Sequence, residues 1–369
     1  ILNSIGISAG SVDSELLMLD KSIALLKENG YLAIVLPDSV FASKGNNSLY
    51  RDALLKQVYI KGVIELPSVT FAQAGTRTNT CILYLQKKQA VNGDKMFMAL
   101  CEDLGYIVKE KMGVPVKISK GKNEMLDIAK ALIEKQTDKR IILQKPSVTQ
   151  ITSLDLTENI IKPSFYAAER FVTVENITKG IRDGYTIKKL SEIAEFVTTS
   201  RKGFMVSESI KHISVLHVNS NSTINFNEVE QFVPVSKGRK VEPGDLIFSK
   251  LNPRIPRMAV VPKKEYDLVC SNEFEIIRPT GDIDAYMLCF LLKTSNVMVQ
   301  IESMTSGTSS SHSRIKREQL GDILLPVPVS DDERKVCKKL GEKLKKAIEE
   351  IYQGESIISE QQKYLTKLA

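Results

Sequence analysis

The sequence predicts an α/β region, then an α+β, β-rich domain, then a long C-terminal helix. Three observations carry this. Near the start, a stretch with helical spacing is followed by a short apolar run, and the pair then repeats. From about residue 164, short β-type runs alternate with Pro and Gly turn signals. At the end, apolar residues recur every seven positions.

Residues 14–27 read as an amphipathic helix, because Leu16, Leu19, Ile23 and Leu26 fall on one face. Gly30 is expected to end it in the left-handed conformation. The run from Tyr31 to Leu36, stopped by Pro37, is apolar on both faces. A helix followed by a doubly buried strand is the signature of a parallel α/β sheet. A second helix (49–57), a second strand (60–66) and a third strand (80–86) continue it. Three strands with bare edges make a poor domain. Residues 1–88 are therefore expected to be the C-terminal half of a larger α/β domain whose first half is missing from this chain.

Residues 89–163 read as a helical connector, with Met125, Ile128, Leu132 and Ile133 on one face of a helix over 122–136. Residues 164–329 hold the short strands, separated by turns such as Pro243-Gly244-Asp245. Residues 330–369 form the helix. Ser330 is placed to cap it, with Glu333 reaching back. Cys337, Leu344, Ile351, Ile358 and Leu365 recur every seven residues and form a seam for another helix, while Gly354 is a point where the helix can kink or split.

Composition narrows the function classes. Of 369 residues, 43% are hydrophobic and 26% charged, as in an ordinary globular protein with room for two or three domains. No apolar run is long enough to span a bilayer, and no signal-peptide pattern opens the chain. The five cysteines are scattered without a CxxC, which argues against a disulfide framework and fits a cytoplasmic protein. The three histidines show no metal-site spacing, so no metal is expected. The net charge of +7 permits a nucleic-acid partner without requiring one.

Particular residues narrow the class further. Residues 15–38, closing on Leu36-Pro37-Asp38, resemble the later strands of the N6-adenine DNA methyltransferase family, and above all the modification subunits of type I restriction systems. Arg51, the stretch from Val63 to Pro67, Phe71 and the stretch from Thr78 to Lys87 continue the resemblance in order. It implies a Rossmann-like sheet and, in the full-length parent enzyme, methyl transfer from S-adenosylmethionine to adenine N6. The family's glycine-rich turn and its Asn/Asp-Pro-Pro-Tyr/Phe tetrapeptide are not in this chain, so no catalytic or cofactor-binding residue is assigned and no cofactor is expected on these residues alone. By the same resemblance, Phe71 is a candidate to stack on the target base, since enzymes that modify a base swing it out of the duplex.

Residues 189–194, 244–249, 306–315 and 324–328 resemble the target-recognition domain of type I specificity subunits. This implies double-stranded DNA as partner, together with a second copy of the chain or other restriction–modification subunits. Lys and Arg hold phosphates, and Arg and Asn also read base edges. Three loops therefore offer candidates. One holds Lys237, Arg239, Lys240, Lys250, Asn252, Arg254 and Arg257, with Arg254 and Arg257 on a proline-stiffened segment. The second holds Arg201 and Lys202, and the third Ser309, His312 and Arg314. The rival expectation is a non-catalytic DNA-binding or assembly protein derived from a specificity subunit.

Overall fold

The computed structural model describes residues 1–91, 93–134, 139–198, 203–281, 283–305 and 313–368. It is a mixed α/β protein with several sheets and a long C-terminal helix. The chain divides into two compact units, 1–173 with 303–313, and 174–302 with 314–369.

The first unit opens with α1 (Ser14–Leu25), which buries Leu16, Leu19 and Ile23. Leu26 already leaves the helix, and the left-handed residue is Asn29 (φ 62°) rather than Gly30. Asn is one of the few side chains that tolerate this region. Here its backbone N–H is taken by the Lys87 carbonyl, which fixes the turn beside the sheet. The chain continues through β1 (Tyr31–Pro37), a short α2 (Ser39–Ala42), α3 (Asn46–Gln57), β2 (Tyr59–Leu66) and β3 (Thr80–Gln86). Then come β4 (Lys95–Leu100), β5 (Leu104–Lys111), β6 (Val114–Asn123), α4 (Met125–Glu134), β7 (Ile141–Leu143) and β8 (Ser147–Thr152).

Six of these strands form one sheet, in the order β1-β3-β2-β4-β8-β7. The expectation of consecutive parallel strands fails in part. β3 lies between β1 and β2 and runs antiparallel to both, and only β2 and β4 pair in parallel. An apolar run reports burial on both faces, but not direction. β1 is not doubly buried either, since Tyr31, Ala33 and Val35 are exposed and only Leu36 is fully buried.

The stretch read as a helical connector holds one helix and five strands, three of them in the sheet. α4 buries Ile128 and Ala131 against Leu66, Ala99 and Val148, while Ile133 faces solvent. α4 begins at Met125, three residues later than the spacing suggested.

α5 (Ala168–Lys179) carries the chain into the second unit. There follow β9 (Tyr185–Lys189), α6 (Leu190–Ile193), β10 (Ala194–Phe196), β11 (Ile210–Ile213), α7 (Phe226–Gln231), β12 (Arg239–Val241), β13 (Leu246–Ser249), β14 (Met258–Val260), β15 (Asp267–Cys270) and β16 (Phe274–Pro279). The unit is completed by α8 (Ala285–Leu291), α9 (Ser295–Ser303), α10 (Arg317–Gly321), β17 (Leu324–Pro328) and α11 (Asp331–Leu368). A four-stranded sheet, β10-β16-β13-β14, and a three-stranded sheet, β11-β15-β12, share a core that includes Ile213, Val241, Ile247, Leu268 and Ile276. β9 and β17 pair, joining residues 135 or more apart in sequence.

α11 realises half of its expected cap. Ser330 Oγ accepts from the Glu333 backbone N–H at 3.3 Å. The Glu333 carboxylate does not reach back. It accepts from the Tyr185 hydroxyl at 2.9 Å and pairs with Arg182, while the Ser330 N–H donates to Gly184. The helix runs through Gly354 without interruption. At Gly341 it crosses so close to Asp284 that a Cβ would lie 1.6 Å from that carboxylate. Asp284 in turn caps α8 through the N–H groups of Tyr286 and Met287.

Candidate nucleic-acid interface

In the first unit the C-terminal ends of β1 and β2, which run the same way, open onto the loops that follow them. Ligands of α/β sheets gather at such ends. Phe71 stands in the loop from β2 to β3, just before a single helical turn at Ala72–Ala74. The turn is set by Pro67, whose carbonyl accepts from the Thr70 N–H, and is closed by Gly75 in the left-handed region (φ 84°). Ala72 takes the buried position, leaving the Phe71 ring 36% exposed. A ring in that position is not spent on the core and can meet a planar partner.

Behind this loop lies a cluster that the sequence did not signal. Lys162 is buried, with its ammonium 3.0 Å from Asp38 and 3.3 Å from Glu65. Burial alone would lower the lysine's pKa. The carboxylates of Glu65 and Asp38 more than reverse this and hold the ammonium above its ordinary value. Glu65 also accepts from the Ser164 N–H at 2.9 Å. Nearby, Arg51 is 1% exposed and donates to the carbonyls of Val40, Ser43 and Asn159. Burial lowers its pKa to about 10. Both cations tie residues 159–164 to the ends of β1, α2 and β2.

In the second unit, Lys250, Asn252, Arg254 and Arg257 lie on the loop between β13 and β14. Asn252 takes a left-handed conformation (φ 46°), and its carbonyl accepts from the Ile255 N–H at 3.0 Å. Arg254 is exposed, and Arg257 is half-buried. A backbone bridge between Leu251 and Arg314 brings Arg314 to the same place. Beside them, β16 and the turn before it present two carboxylates. Glu273 accepts from the Arg314 Nε–H and Nη2–H at 2.9 Å each. Glu275, 4% exposed, takes Lys250 at 3.2 Å and Arg317 at 2.8 Å. Arg317 also donates to the Thr198 hydroxyl. Arg239 reaches the same strand, donating to the Phe274 carbonyl.

The candidates thus divide. Lys250, Asn252, Arg254, Arg257 and Arg314 come together, and Arg239 joins them from below. Lys240 instead pairs with Asp267 on the three-stranded sheet, 3.5 Å away, and Lys237 stands exposed before β12. Arg201, Lys202, Ser309 and His312 lie outside the described residues. The six Lys and Arg side chains between 237 and 257 are partly neutralised in space. Glu273 and Glu275 enter from beyond that stretch, and Glu242 and Asp245 are spent on Arg278. Arg317 was missed because nothing near it in sequence marks its partner.

Among the described residues, no group of three or more His, Cys, Asp and Glu could hold a metal ion. All five cysteines are free and buried. No helix among the described residues is long and apolar enough to cross a membrane. The seam of α11 splits along its length. Cys337 is buried, Leu344 is half-buried, and Ile351, Ile358 and Leu365 are exposed, the last two at 60%.

The Phe71 ring is accessible at the end of the first sheet, and Arg254 is exposed on its loop in the second unit. The comparison with known families bears on the first of these. Residues 8–143 match the family model of N-6 DNA Methylase. The match takes in every strand of the first sheet up to β7, and Phe71 with them. No curated protein matches the chain. Solved structures similar to it include the HsdS subunit from Thermoanaerobacter tengcongensis, at 19% identity over 50% of this chain and 48% of that one, with a TM-score of 0.34. They also include the type IIG restriction endonuclease BpuSI, at 11% identity over 91% of this chain and 44% of that one (TM-score 0.38). A third is the type I restriction-modification methyltransferase subunit from Streptococcus thermophilus, at 19% identity over 41% of this chain and 30% of that one (TM-score 0.30). The chain spans half or less of the length of each of these proteins.

Proposed function

We propose that this chain recognises DNA for an adenine-N6 methyltransferase of the restriction–modification kind. The observation that carries the reading is the match of residues 8–143 to N-6 DNA Methylase. On this reading residues 1–88 are the later part of a Rossmann-like methyltransferase sheet, and the sheet continues beyond the open edge of β1. Residues 89–163 join that sheet to a target-recognition domain at 164–329, and 330–369 form a helix for subunit contact. Phe71 stacks on the target adenine.

The methyl donor of such an enzyme is S-adenosylmethionine. The described residues do not fit it. The acidic groups at the ends of β1 and β2, Asp38 and Glu65, are both held by Lys162, and no glycine-rich turn opens a helix there. No step is therefore assigned to these residues through the cofactor. A methylation assay with labelled S-adenosylmethionine and duplex DNA should show no transfer by these residues alone, and transfer above background would overturn that assignment.

DNA binding is tested on the Arg254/Arg257 loop. Arg254→Ala/Arg257→Ala should weaken duplex binding by at least tenfold, since each good base contact is worth about 1–3 kcal/mol. If the two arginines hold only phosphates, all sequences weaken alike and the salt dependence flattens. Unchanged affinity and unchanged salt slope would remove this loop from the interface.

The exposed Ile351, Ile358 and Leu365 support pairing of α11 with a second copy, or with another subunit, through a seven-residue seam. Ile351→Lys/Ile358→Lys should turn a dimer into a monomer in light scattering without disturbing the domain, because neither side chain is buried in it. A monomeric unaltered chain would leave the seam to a different subunit.

A further inference from the structure

β5 and β6 form a two-stranded ribbon outside the main sheet. At eight residues for β5 it is about 25 Å long. Its base is fixed. The Asp103 carboxylate accepts from the Gly105 N–H at 2.7 Å and the Lys122 N–H at 3.0 Å, one from each strand. Gly121 makes this possible, since a Cβ there would lie 1.9 Å from the same carboxylate. One face of the ribbon leans on the loop that carries Phe71. The Tyr106 hydroxyl donates to the Thr70 carbonyl at 3.3 Å, and Arg77 donates to the Val108 carbonyl at 3.2 Å. Lys117 sits 3.6 Å from the centre of the Tyr106 ring on that same face.

The other face is open toward the tip, where Lys109, Lys111 and Val114 are exposed, while Ile107, Val116 and Ile118 are half-buried. Residues 104–123 hold five lysines and one glutamate, a local charge of +4. Lys109 and Lys111 share the open face with Val114 and Val116, by the pairing Lys111 with Val114 and Lys109 with Val116. Lys109, Lys111 and Lys120 are exposed and form no ion pair with a described residue. The turn is Met112-Gly113, both in the left-handed region (φ 51° and 76°). A two-residue turn of this type favours Asn-Gly or Asp-Gly. A methionine there is strained, and its side chain is fully exposed, which is a poor choice for folding alone.

We infer that this ribbon is a DNA-binding arm that lies in a groove of the duplex beside the target base, with lysines on the phosphates and Met112 against the bases. The major groove of DNA admits a two-stranded ribbon, and an apolar side chain there can lie against base edges such as the thymine methyl. The inference rests on the reading of the first unit as part of an adenine methyltransferase, and it adds a contact site to that reading. The ribbon's anchorage on Thr70 and Arg77 places the contact next to the ring that would receive the base.

Fluorescence anisotropy of the whole chain with a short mixed-sequence duplex, over a series of salt concentrations, tests it. Lys109→Gln/Lys111→Gln/Lys120→Gln should weaken binding at least tenfold at low salt. It should also reduce the slope of log affinity against log salt by about two to three, at roughly 0.9 per phosphate contact. Lys338→Gln/Lys339→Gln/Lys343→Gln removes the same charge from α11 and should leave that slope nearly unchanged. Met112→Asn suits the turn better, so it should raise Tm while weakening binding severalfold. The inference is overturned if the ribbon triple keeps the original slope, if both lysine triples act alike, or if Met112→Asn binds as before. Each of these leaves the reading of the unit standing as long as the unaltered chain binds DNA. Absence of any duplex binding at low salt would overturn that reading together with the arm.

Discussion

In the first unit a lysine lies between two carboxylates, in the second a carboxylate lies between two cations, and the two arrangements differ in depth. In the first unit the side chains of Lys162 and Asp38 are 5% and 2% exposed, and Glu65 is 12% exposed. In the second, Glu275 is 5% exposed, but its partners Lys250 and Arg317 are 23% and 33% exposed, and the neighbouring Arg314–Glu273 pair is 46% and 34% exposed. The same chemistry therefore has different consequences. A fully buried charge must keep its partner, because the desolvation cost falls on whichever group is left behind. A half-exposed cation is steadied by its carboxylate, yet water or a phosphate can still reach it. The first cluster is a clamp. The second leaves its cations within reach of solvent and of anions.

Breaking the clamp should have the larger effect. Lys162→Met leaves Asp38 and Glu65 buried without their cation, a change that typically costs about 3–5 kcal/mol. Urea unfolding of the whole chain, followed by circular dichroism, should show the first transition moving to lower denaturant by that amount. A cost below about 1 kcal/mol, the range of exposed pairs, would mean that the cluster is wetter than its burial suggests and would end the contrast.

The contrast also marks what the sequence can and cannot show. The apolar run from Cys81 to Leu85 announced a strand, and the spacing of Leu16, Leu19 and Ile23 announced α1. These are local patterns of burial, and sequence records them directly. Strand direction is not local, and so the antiparallel β3 between β1 and β2 was not seen. Nor was Lys162, which meets Asp38 from 124 residues away. In the second unit Lys250 and Arg314 were visible as basic residues in polar loops. Their anchors Glu273 and Glu275 were not, because a carboxylate on a neighbouring strand looks like any surface charge until the strands are laid side by side. The β5–β6 ribbon was misread for a related reason. It lies inside the stretch that reads as a helical connector, and the turn at Met112-Gly113 lacks the Asn or Asp that marks a hairpin.

The smallest stability effect should come from the most exposed pair, and it is the one that bears on function. Glu273→Gln keeps the shape of the side chain and removes its charge. Since Glu273 and Arg314 are both about a third or more exposed, solvent screening limits the cost to at most about 1 kcal/mol. Hydrogen bonding to Arg314 holds the Glu273 carboxyl below its ordinary value of 4.5. A carboxyl whose pKa is depressed on folding contributes stability above its unfolded value and loses it as pH falls through its folded value. The small contribution should therefore be present at neutral pH, vanish in acid below about 4.5, and be absent at every pH in Glu273→Gln. DNA binding should move the other way. If Arg314 faces the phosphates, the carboxylate beside it repels them, and removing that charge should tighten binding of a mixed-sequence duplex by a factor of a few, most clearly at low salt. Stability and affinity would then change in opposite senses at one residue, which a purely structural ion pair cannot produce. Equal affinity for the unaltered chain and Glu273→Gln across the salt series would move the DNA face away from Arg314 and leave the pair as a brace between β16 and the chain leading to α10.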